Sequence, residues 1–180
     1  MAGTPTRLMT FAEFERLPDP RDGRYELRHG EVVKIPPPDY DHFLIQQMLR
    51  DLLDGAAAGR GRAYTEAGFR ALPDGEFRIA DVAYAPVERW NKHRGERSFV
   101  GAPDVVIEVL SPSNTIAEML DKRHLCLENG ALEFWLVNIG HRQVEVSTPD
   151  GRSITYKTGQ EIPLLFGGSI PVDAIFSERT

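Results

Sequence analysis

A strand, a helix and a second strand that follow one another in the middle of the chain limit the possible folds more than any other feature. The first segment, PDVVIEVL at 103–110, and the last, EFWLVNI at 133–139, are apolar along most of their length, as are strands covered on both faces. Between them, Thr115 and Glu118 have the spacing of a capping box, which predicts a helix that runs to Glu128. A unit of this length joins two parallel strands through a right-handed crossover. The sequence therefore predicts a sheet with helices packed against it.

The other elements follow from the spacing of the apolar residues, which recur every three or four positions in predicted helices and at alternate positions in predicted strands. In chain order they are a short helix at 10–17, a β-hairpin at 24–35, a long helix at 41–55, strands at 63–72 and 77–86, a polar loop at 88–97, and strands at 143–149 and 153–158. This order predicts an α/β or α+β fold. We expect a restriction-endonuclease-like mixed β-sheet flanked by helices, with an N-terminal helix and a β-hairpin.

The composition is that of one folded domain covering residues 1–180, since 41% of the residues are hydrophobic and 27% are charged. The single cysteine, Cys126, has no partner for a disulfide within the chain, and the sequence has no apolar segment of signal-peptide or membrane-spanning length. We therefore expect a cytoplasmic protein without a membrane partner. The net charge of −6 argues against a general nucleic-acid coat but is compatible with a local basic site.

Two acids interrupt the apolar strands, and hydrophobic patterning explains neither. Glu108 lies near the carboxyl end of its predicted strand, and Asp81 interrupts the strand at 77–86. An ionised carboxylate is costly there unless it is paired, bound to a metal or open to a cleft. Two carboxylates on neighbouring strands also repel each other, so a cation between them would stabilise both. Mg2+ or Mn2+ would accept these oxygen ligands, and the backbone carbonyl of Val109 would be a further ligand.

Two more residues complete a candidate catalytic group. Lys122 lies on the helix that follows the strand of Glu108, and its ammonium group could reach back to the end of that strand. Glu26, in the predicted hairpin, could add a carboxylate. Two acids that hold a metal ion beside a lysine suit the hydrolysis of phosphodiester bonds. In such a site the metal activates water, and the lysine stabilises the transition state or orients the nucleophile.

Each of these residues also has an ordinary structural interpretation. An acid such as Asp81 or Glu108 can form a structural salt bridge or accept hydrogen bonds, since acids at strand ends are common. A helical lysine such as Lys122 usually lies in solvent, with only its aliphatic part packed. The sequence alone leaves both interpretations open.

Two other sets of residues are candidates for contact with a substrate. His42 and Gln46, one turn apart on the long helix, could face a cleft, although a capping or partly buried histidine is the alternative. Trp90, Lys92 and Arg94 resemble a phosphate-contacting loop with a stacking residue. Acids in the same loop dilute that positive charge and favour a solvated loop instead.

Several segments together resemble the Uma2 family, whose members are described as "putative restriction endonucleases". The segments are MTFAEFERLP, RYELRHGEVV, PPPDYDHFLIQQMLRDLL, GAPDVVIEVLSPSN with the following DK pair, and ENGALEFWLVNI. The resemblance extends along almost the whole chain and implies the PD-(D/E)xK nuclease-like fold with a divalent-metal site. It also implies that Asp81 and Glu108 are the two acids of the motif, Lys122 its lysine, and Glu26 the acid after the hairpin tyrosine.

The chain departs from the family pattern at several positions. Ala80 stands where the family usually has the proline before the first acid, which alters backbone stiffness but keeps the ligand. Leu110 occupies the position where the general nuclease motif places its lysine, so Lys122 has to come from a different element. Cys126 stands where many members carry a tyrosine. The metal ligands are thus kept, and the lysine is displaced.

The residues and the resemblance together predict a metal-dependent endonuclease that uses Mg2+ or Mn2+ to hydrolyse phosphodiester bonds of DNA. A homodimer is expected, because two-fold dimers are common for enzymes that cut both strands. The alternative is a catalytically silent nuclease-fold interaction or regulatory module, which the acidic net charge and the displaced lysine favour. A third possibility is that the acids are only structural.

Overall fold

The computed structural model describes residues 7–71 and 74–177. The helices are α1 (Phe11–Phe14), α2 (Tyr40–Ala57), α3 (Val87–Lys92), α4 (Ile116–Glu128) and α5 (Val172–Ile175). The strands are β1 (Arg24–Arg28), β2 (Glu31–Ile35), β3 (Gly61–Arg70), β4 (Arg78–Pro86), β5 (Phe99–Val100), β6 (Val105–Val109), β7 (Glu133–Asn138), β8 (Gln143–Ser147), β9 (Ser153–Lys157), β10 (Glu161–Pro163) and β11 (Ser169–Pro171).

A seven-stranded mixed sheet with the order β5-β3-β4-β6-β7-β8-β9 forms the centre of the molecule. Strands β6 and β7 are parallel neighbours joined through α4, which confirms the predicted strand–helix–strand unit. Strand β4 is antiparallel to both β3 and β6, and β7, β8 and β9 form an antiparallel meander. The mixed sheet flanked by helices confirms the predicted fold class.

The sheet is buried on both faces because most residues of its central strands are apolar. On one face, Ile107 and Trp135 pack with Leu49 of α2 in a continuous hydrophobic core. On the other face, Val106 packs in a second core with Cys126 of α4. All five residues are fully buried. The two cores fix β4 and β6 between α2 and α4, which is where the polar residues described below lie.

Helix α4 begins and ends as its sequence predicts. The side chain of Thr115 accepts a hydrogen bond from the N–H of Glu118, and the Glu118 carboxylate accepts one from the N–H of Thr115. This reciprocal capping box satisfies two N–H groups that a helix start leaves without a partner. Gly130, with a φ of 109°, lies just past the helix end in a conformation that favours glycine. The cap thus fixes where α4 starts relative to β6.

The hairpin of β1 and β2 is a separate two-stranded sheet. Its turn is at His29 and Gly30, both with positive φ. Leu27 of β1 exchanges backbone hydrogen bonds of 2.9 and 2.8 Å with Phe77, just before β4. The hairpin is therefore held against the start of β4, and it carries Glu26 toward the sheet.

The structure differs from the sequence-based expectations in several places, among them the short strand β5, which was not predicted. The predicted polar loop at 88–97 begins with a helix, α3, which follows directly from Pro86. Helix α1 ends at Phe14 rather than near Leu17. The hairpin β10–β11 and helix α5, which close the core over α2, were not predicted because each element has only three or four residues. None of the helices that the structure describes has the length and apolar character needed to cross a membrane.

Candidate active site

Strands β4 and β6 separate at Asp81 and Glu108. Their pairing runs from Tyr84 with Val105 to Val82 with Ile107, and the next residues are the two acids. Asp81 Oδ2 accepts a hydrogen bond of 2.7 Å from the N–H of Val109, and the N–H of Asp81 donates to Glu108 Oε1 at 3.4 Å. Side-chain carboxylates thus replace the backbone partners at this point. Both predicted acids lie together where the strands part.

Lys122 links these strands to the hairpin. It is only 4% exposed, and its Nζ lies 2.8 Å from Glu108 Oε1. It donates to the carbonyl of Ile79 at 2.6 Å and lies 3.4 Å from Glu26 Oε1. The N–H of Ile79 donates to the same oxygen of Glu26 at 2.8 Å. Since an ammonium group has three N–H donors, these three contacts engage all of them.

Burial and charge together set the pKa values in this cluster. Desolvation raises the pKa of Glu108 to about 8 although the charge of Lys122 lowers it, and Asp81 adds to the increase. Desolvation also raises the pKa of Glu26, but the charges of Lys122 and Arg28 outweigh this and keep that pKa below its ordinary value. Desolvation disfavours the charged form of Lys122, yet the two glutamates raise its pKa overall. Near neutral pH, Lys122 and Glu26 are charged and Glu108 is mostly protonated.

Helix α2 supplies the partners on the other side of Asp81. The side chain of Asp39 caps this helix by accepting from the N–H of His42, which places His42 and Gln46 on the turn that faces β4. Gln46 Nε2 donates to Asp81 Oδ1 at 3.1 Å. His42 Nε2 lies 3.0 Å from Asp81 Oδ2, but the two atoms are not aligned as a hydrogen bond.

The two helix residues differ in what their polar atoms contact. Desolvation lowers the pKa of His42, but contact with the Asp81 carboxylate outweighs this and raises it above its ordinary value. Gln46 is 1% exposed, and its Oε1 is buried without a hydrogen-bond partner among the residues that the structure describes. A buried amide oxygen without a partner is energetically costly. Next to two carboxylates, it is suited to a cationic or protonated ligand.

Glu66 belongs to the same group, and the sequence analysis did not single it out. It lies opposite Asp81 between the pairs Thr65–Val82 and Ala67–Ala80, but these two acids do not form a ladder pair. Its φ is 51°, which is unusual for a residue with a side chain. Gln46 Nε2 donates to Glu66 Oε1 at 2.6 Å. The available signal was an acid at the centre of a predicted strand, as for Asp81.

The structure keeps Trp90, Lys92 and Arg94 away from this cluster. Helix α3 starts after β4 ends, and Pro86 is five residues beyond Asp81, or about 17 Å along the strand. Trp90 donates its indole N–H to the carbonyl of Arg62 at 3.0 Å and packs edge-on against two aromatic rings. Lys92 and Arg94 are exposed. Helix α3, which begins the predicted loop, therefore lies at the opposite end of β4 from the acids.

The donor atoms of the cluster suit a hard divalent cation. Both polar contacts that Glu108 makes in the described part of the chain go to Oε1, which leaves Oε2 for a ligand. Asp81 supplies a second carboxylate and Gln46 a buried amide oxygen, and Mg2+ prefers oxygen ligands of this kind. Within residues 7–71 and 74–177, no group of three or more His, Cys, Asp and Glu side chains is arranged as a metal site. The N–H of Val109 donates to Asp81. The backbone carbonyl of Val109 as a metal ligand stays a prediction.

The sequence of the chain matches a family model over the segment that contains all of these residues. Residues 11–173 match the model of Uma2, described as "Putative restriction endonuclease". The chain belongs to the Uma2 family. Membership supports a nuclease-like function and thus a nucleic-acid substrate. No curated protein matches the chain in sequence.

A solved structure has the same fold as this Uma2 protein. It is the crystal structure of a "putative nuclease belonging to DUF820" from Anabaena variabilis, with a TM-score of 0.81 and 21% sequence identity. The similarity covers 93% of this chain and 97% of the other. At this level of identity, the likeness establishes the fold, and arguments about function have to come from the site itself.

Proposed function

We propose that this Uma2 protein is a metal-dependent endonuclease that hydrolyses phosphodiester bonds of DNA. The observation that carries the proposal is the meeting of Asp81, Glu108 and the buried Lys122 where β4 and β6 part. Such a group is costly to bury for structure alone, since apolar residues of similar volume often stabilise a protein as well or better. The presence of two acids and a lysine here therefore favours a functional role.

In this proposal, Asp81 and Glu108 hold Mg2+ or Mn2+, with the amide oxygen of Gln46 as a candidate third oxygen. The bound ion would lower the pKa of water and neutralise charge on the phosphate. Val109 and Gln46 orient Asp81, because each donates to a different carboxylate oxygen. The side chain of Asp81 is 19% exposed, so a phosphate can approach its carboxylate from solvent.

Lys122 acts in this scheme through Glu108. Its three donors are engaged by Glu108, Glu26 and the Ile79 carbonyl, which leaves none for water or phosphate in this arrangement. We therefore assign it as a positioning residue that holds the Glu108 carboxylate, with Glu26 keeping the ammonium group in place. His42, beside Asp81 and with a raised pKa, is the candidate to donate a proton or a hydrogen bond to the phosphate.

Cleavage assays with matched variants test the proposal. The purified protein is incubated with plasmid, single-stranded DNA and RNA in Mg2+ or Mn2+, beside Asp81→Asn, Glu108→Gln and the control Glu145→Gln. Glu145 is a carboxylate of the same sheet that pairs with Arg123 away from the cluster. Both site variants should lose at least about 100-fold in rate, because even residues behind a metal ligand often contribute 10–100-fold. Cleavage that survives in both site variants would contradict the assignment.

The same assays distinguish the second candidate, a catalytically silent interaction module. It is favoured by the engagement of every Lys122 donor within the protein. Calorimetry would support this candidate if the wild-type protein binds Mn2+ tightly, the Asp81→Asn variant does not, and the wild-type protein cleaves none of the substrates. The protein would then have the nuclease fold and a metal site but no nuclease activity. Absence of Mn2+ binding would leave the acids with a structural role only.

A further inference from the structure

A pocket of about 450 Å3 lies beside the active-site cluster. Its walls come from α1 and the segment after it, from β1 and from the start of β4, and they include the rings of Phe14, Tyr25 and Phe77. Leu17 and Pro18 complete the apolar part of the wall. The volume is within the range of small-molecule sites and has room for one nucleobase with its sugar.

The pocket and the cluster share Ile79 as a common wall. Ile79 is among the residues that line the pocket, and its N–H and carbonyl hold Glu26 and Lys122. Asp81 lies two residues further along β4, or about 7 Å away. A ligand in the pocket would therefore lie about one nucleotide from a phosphate at the acids.

Two arginines give the pocket its cationic groups. Arg24 lines the pocket, and its guanidinium group donates to the carbonyl of Glu66 at 3.3 Å, so it connects the pocket to the acid cluster. Arg97 lines the other side and donates to the carbonyl of Glu15 at 3.0 Å. Both arginines are exposed on the protein surface. Guanidinium groups and aromatic rings together are the side chains on which unpaired bases stack.

We propose that this pocket binds an unpaired base of the substrate, next to the phosphate that is cleaved. The inference rests on the proposed function and extends it, because a base can enter the pocket only when it has left the duplex stack. The substrate class is thus single-stranded or locally opened nucleic acid. Phe14, Tyr25 and Phe77 supply ring surfaces for the base, and Arg24 lies between the base and the acids.

Filling the pocket tests this inference. Leu17→Trp places a large ring in the pocket, and Leu165→Trp adds the same ring at an exposed position in the turn between β10 and β11. Both are made in the Asp81→Asn background so that the nucleic acid stays intact. Fluorescence anisotropy then measures affinity for labelled single-stranded DNA and for a strand of the same length made of abasic nucleotides. Arg97→Gln, at an exposed guanidinium, is a second variant that leaves the apolar packing unchanged.

Leu17→Trp should weaken binding of intact single-stranded DNA by roughly tenfold, since it removes the stacking of one base. Binding of the abasic strand should not change, and Leu165→Trp should bind both strands like the parent. Arg97→Gln should show a smaller loss restricted to the intact strand. Equal affinity of Leu17→Trp and Leu165→Trp for intact DNA would overturn the inference, as would an equal loss for both strands or absence of binding by the parent. If this binding pattern is observed but the wild-type protein cleaves none of the substrates, base binding in the pocket is supported and the proposed nuclease activity is contradicted.

Discussion

Binding of a divalent metal at Asp81 and Glu108 should release a proton. Burial raises the pKa of Glu108 to about 8, so the metal-free protein holds a proton on this carboxyl at neutral pH. A metal ion binds the ionised form and has to displace that proton. Lowering the pH should therefore weaken Mn2+ binding, and raising it above 8 should bring no further gain from this group.

The size of the effect follows from the same pKa. At pH 7 a group with a pKa of about 8 is protonated in about 0.9 of the molecules, so binding should release about 0.9 proton from Glu108. At pH 9 the release should fall to about 0.1 proton. Between pH 8 and 7 the dissociation constant for Mn2+ should rise about fivefold, and below about pH 7 it should rise about tenfold per pH unit, which corresponds to about 1.4 kcal/mol. His42 lies against Asp81 and adds its own release at lower pH, because its pKa is also raised.

Calorimetric titration with Mn2+ in buffers of different ionisation enthalpy measures the number of protons released. His42→Gln keeps both proposed carboxylate ligands, so the release that remains in this variant isolates the contribution of Glu108 from that of His42. Release near zero by His42→Gln at pH 7 would refute the reasoning. So would a wild-type dissociation constant that stays unchanged between about pH 6.5 and 8, because the metal would then meet a carboxylate that is already ionised.

Two further predictions concern the buried charges that hold the cluster. Lys122→Met should lower stability by about 3–5 kcal/mol, because it leaves the buried Glu26 carboxylate without its cation and the Glu108 carboxyl without its hydrogen-bond donor. This corresponds to a fall of about 6–20 °C in the midpoint of thermal unfolding, and a fall no larger than that of the exposed control Lys92→Met would contradict it. Glu26→Gln should destabilise the protein at pH 7 but by less in acid. The folded-state pKa of Glu26 is lowered, so its stabilisation exists above about pH 4.5 and is lost as the pH falls. Urea unfolding of both proteins at pH 7 and in acid tests this, and a difference independent of pH would contradict it.

The acids of the cluster could be predicted from sequence because they break a regular pattern. Asp81 and Glu108 interrupt strands whose other residues are almost all apolar, and such strands form the buried centre of a sheet. The capping box fixes the start of α4, which sets the distance from Glu108 to Lys122 along the chain. The apolar strands and the capping box are local signals, and they were enough to predict both these elements and their polar residues.

Other parts of the site depend on interactions that a single segment does not contain. Glu66 enters the cluster because β3 pairs with β4 in a particular register and adopts a positive φ at that residue. Neither property follows from the local sequence AYTEAGFRAL. Helix α3 was missed because six residues with several charges read equally well as a polar loop. Trp90 lies far from the acids because α3 follows the end of β4 that is remote from Asp81.

The attachment of the β1–β2 hairpin makes the state of the cluster sensitive to ionic strength. Beyond the backbone pairing at Leu27, the hairpin reaches α4 through Arg28–Glu118 and His29–Asp121, each at 2.9 Å, and through Glu26. Dissolved salt screens the partly exposed Arg28–Glu118 pair far more than the buried pair of Glu26 with Lys122. The hairpin is a separate sheet, so its undocking would take Glu26 away from Lys122 without removing a strand from the seven-stranded sheet. A loss of activity at high salt would then combine weaker attraction of nucleic acid with a smaller fraction of molecules whose hairpin is docked.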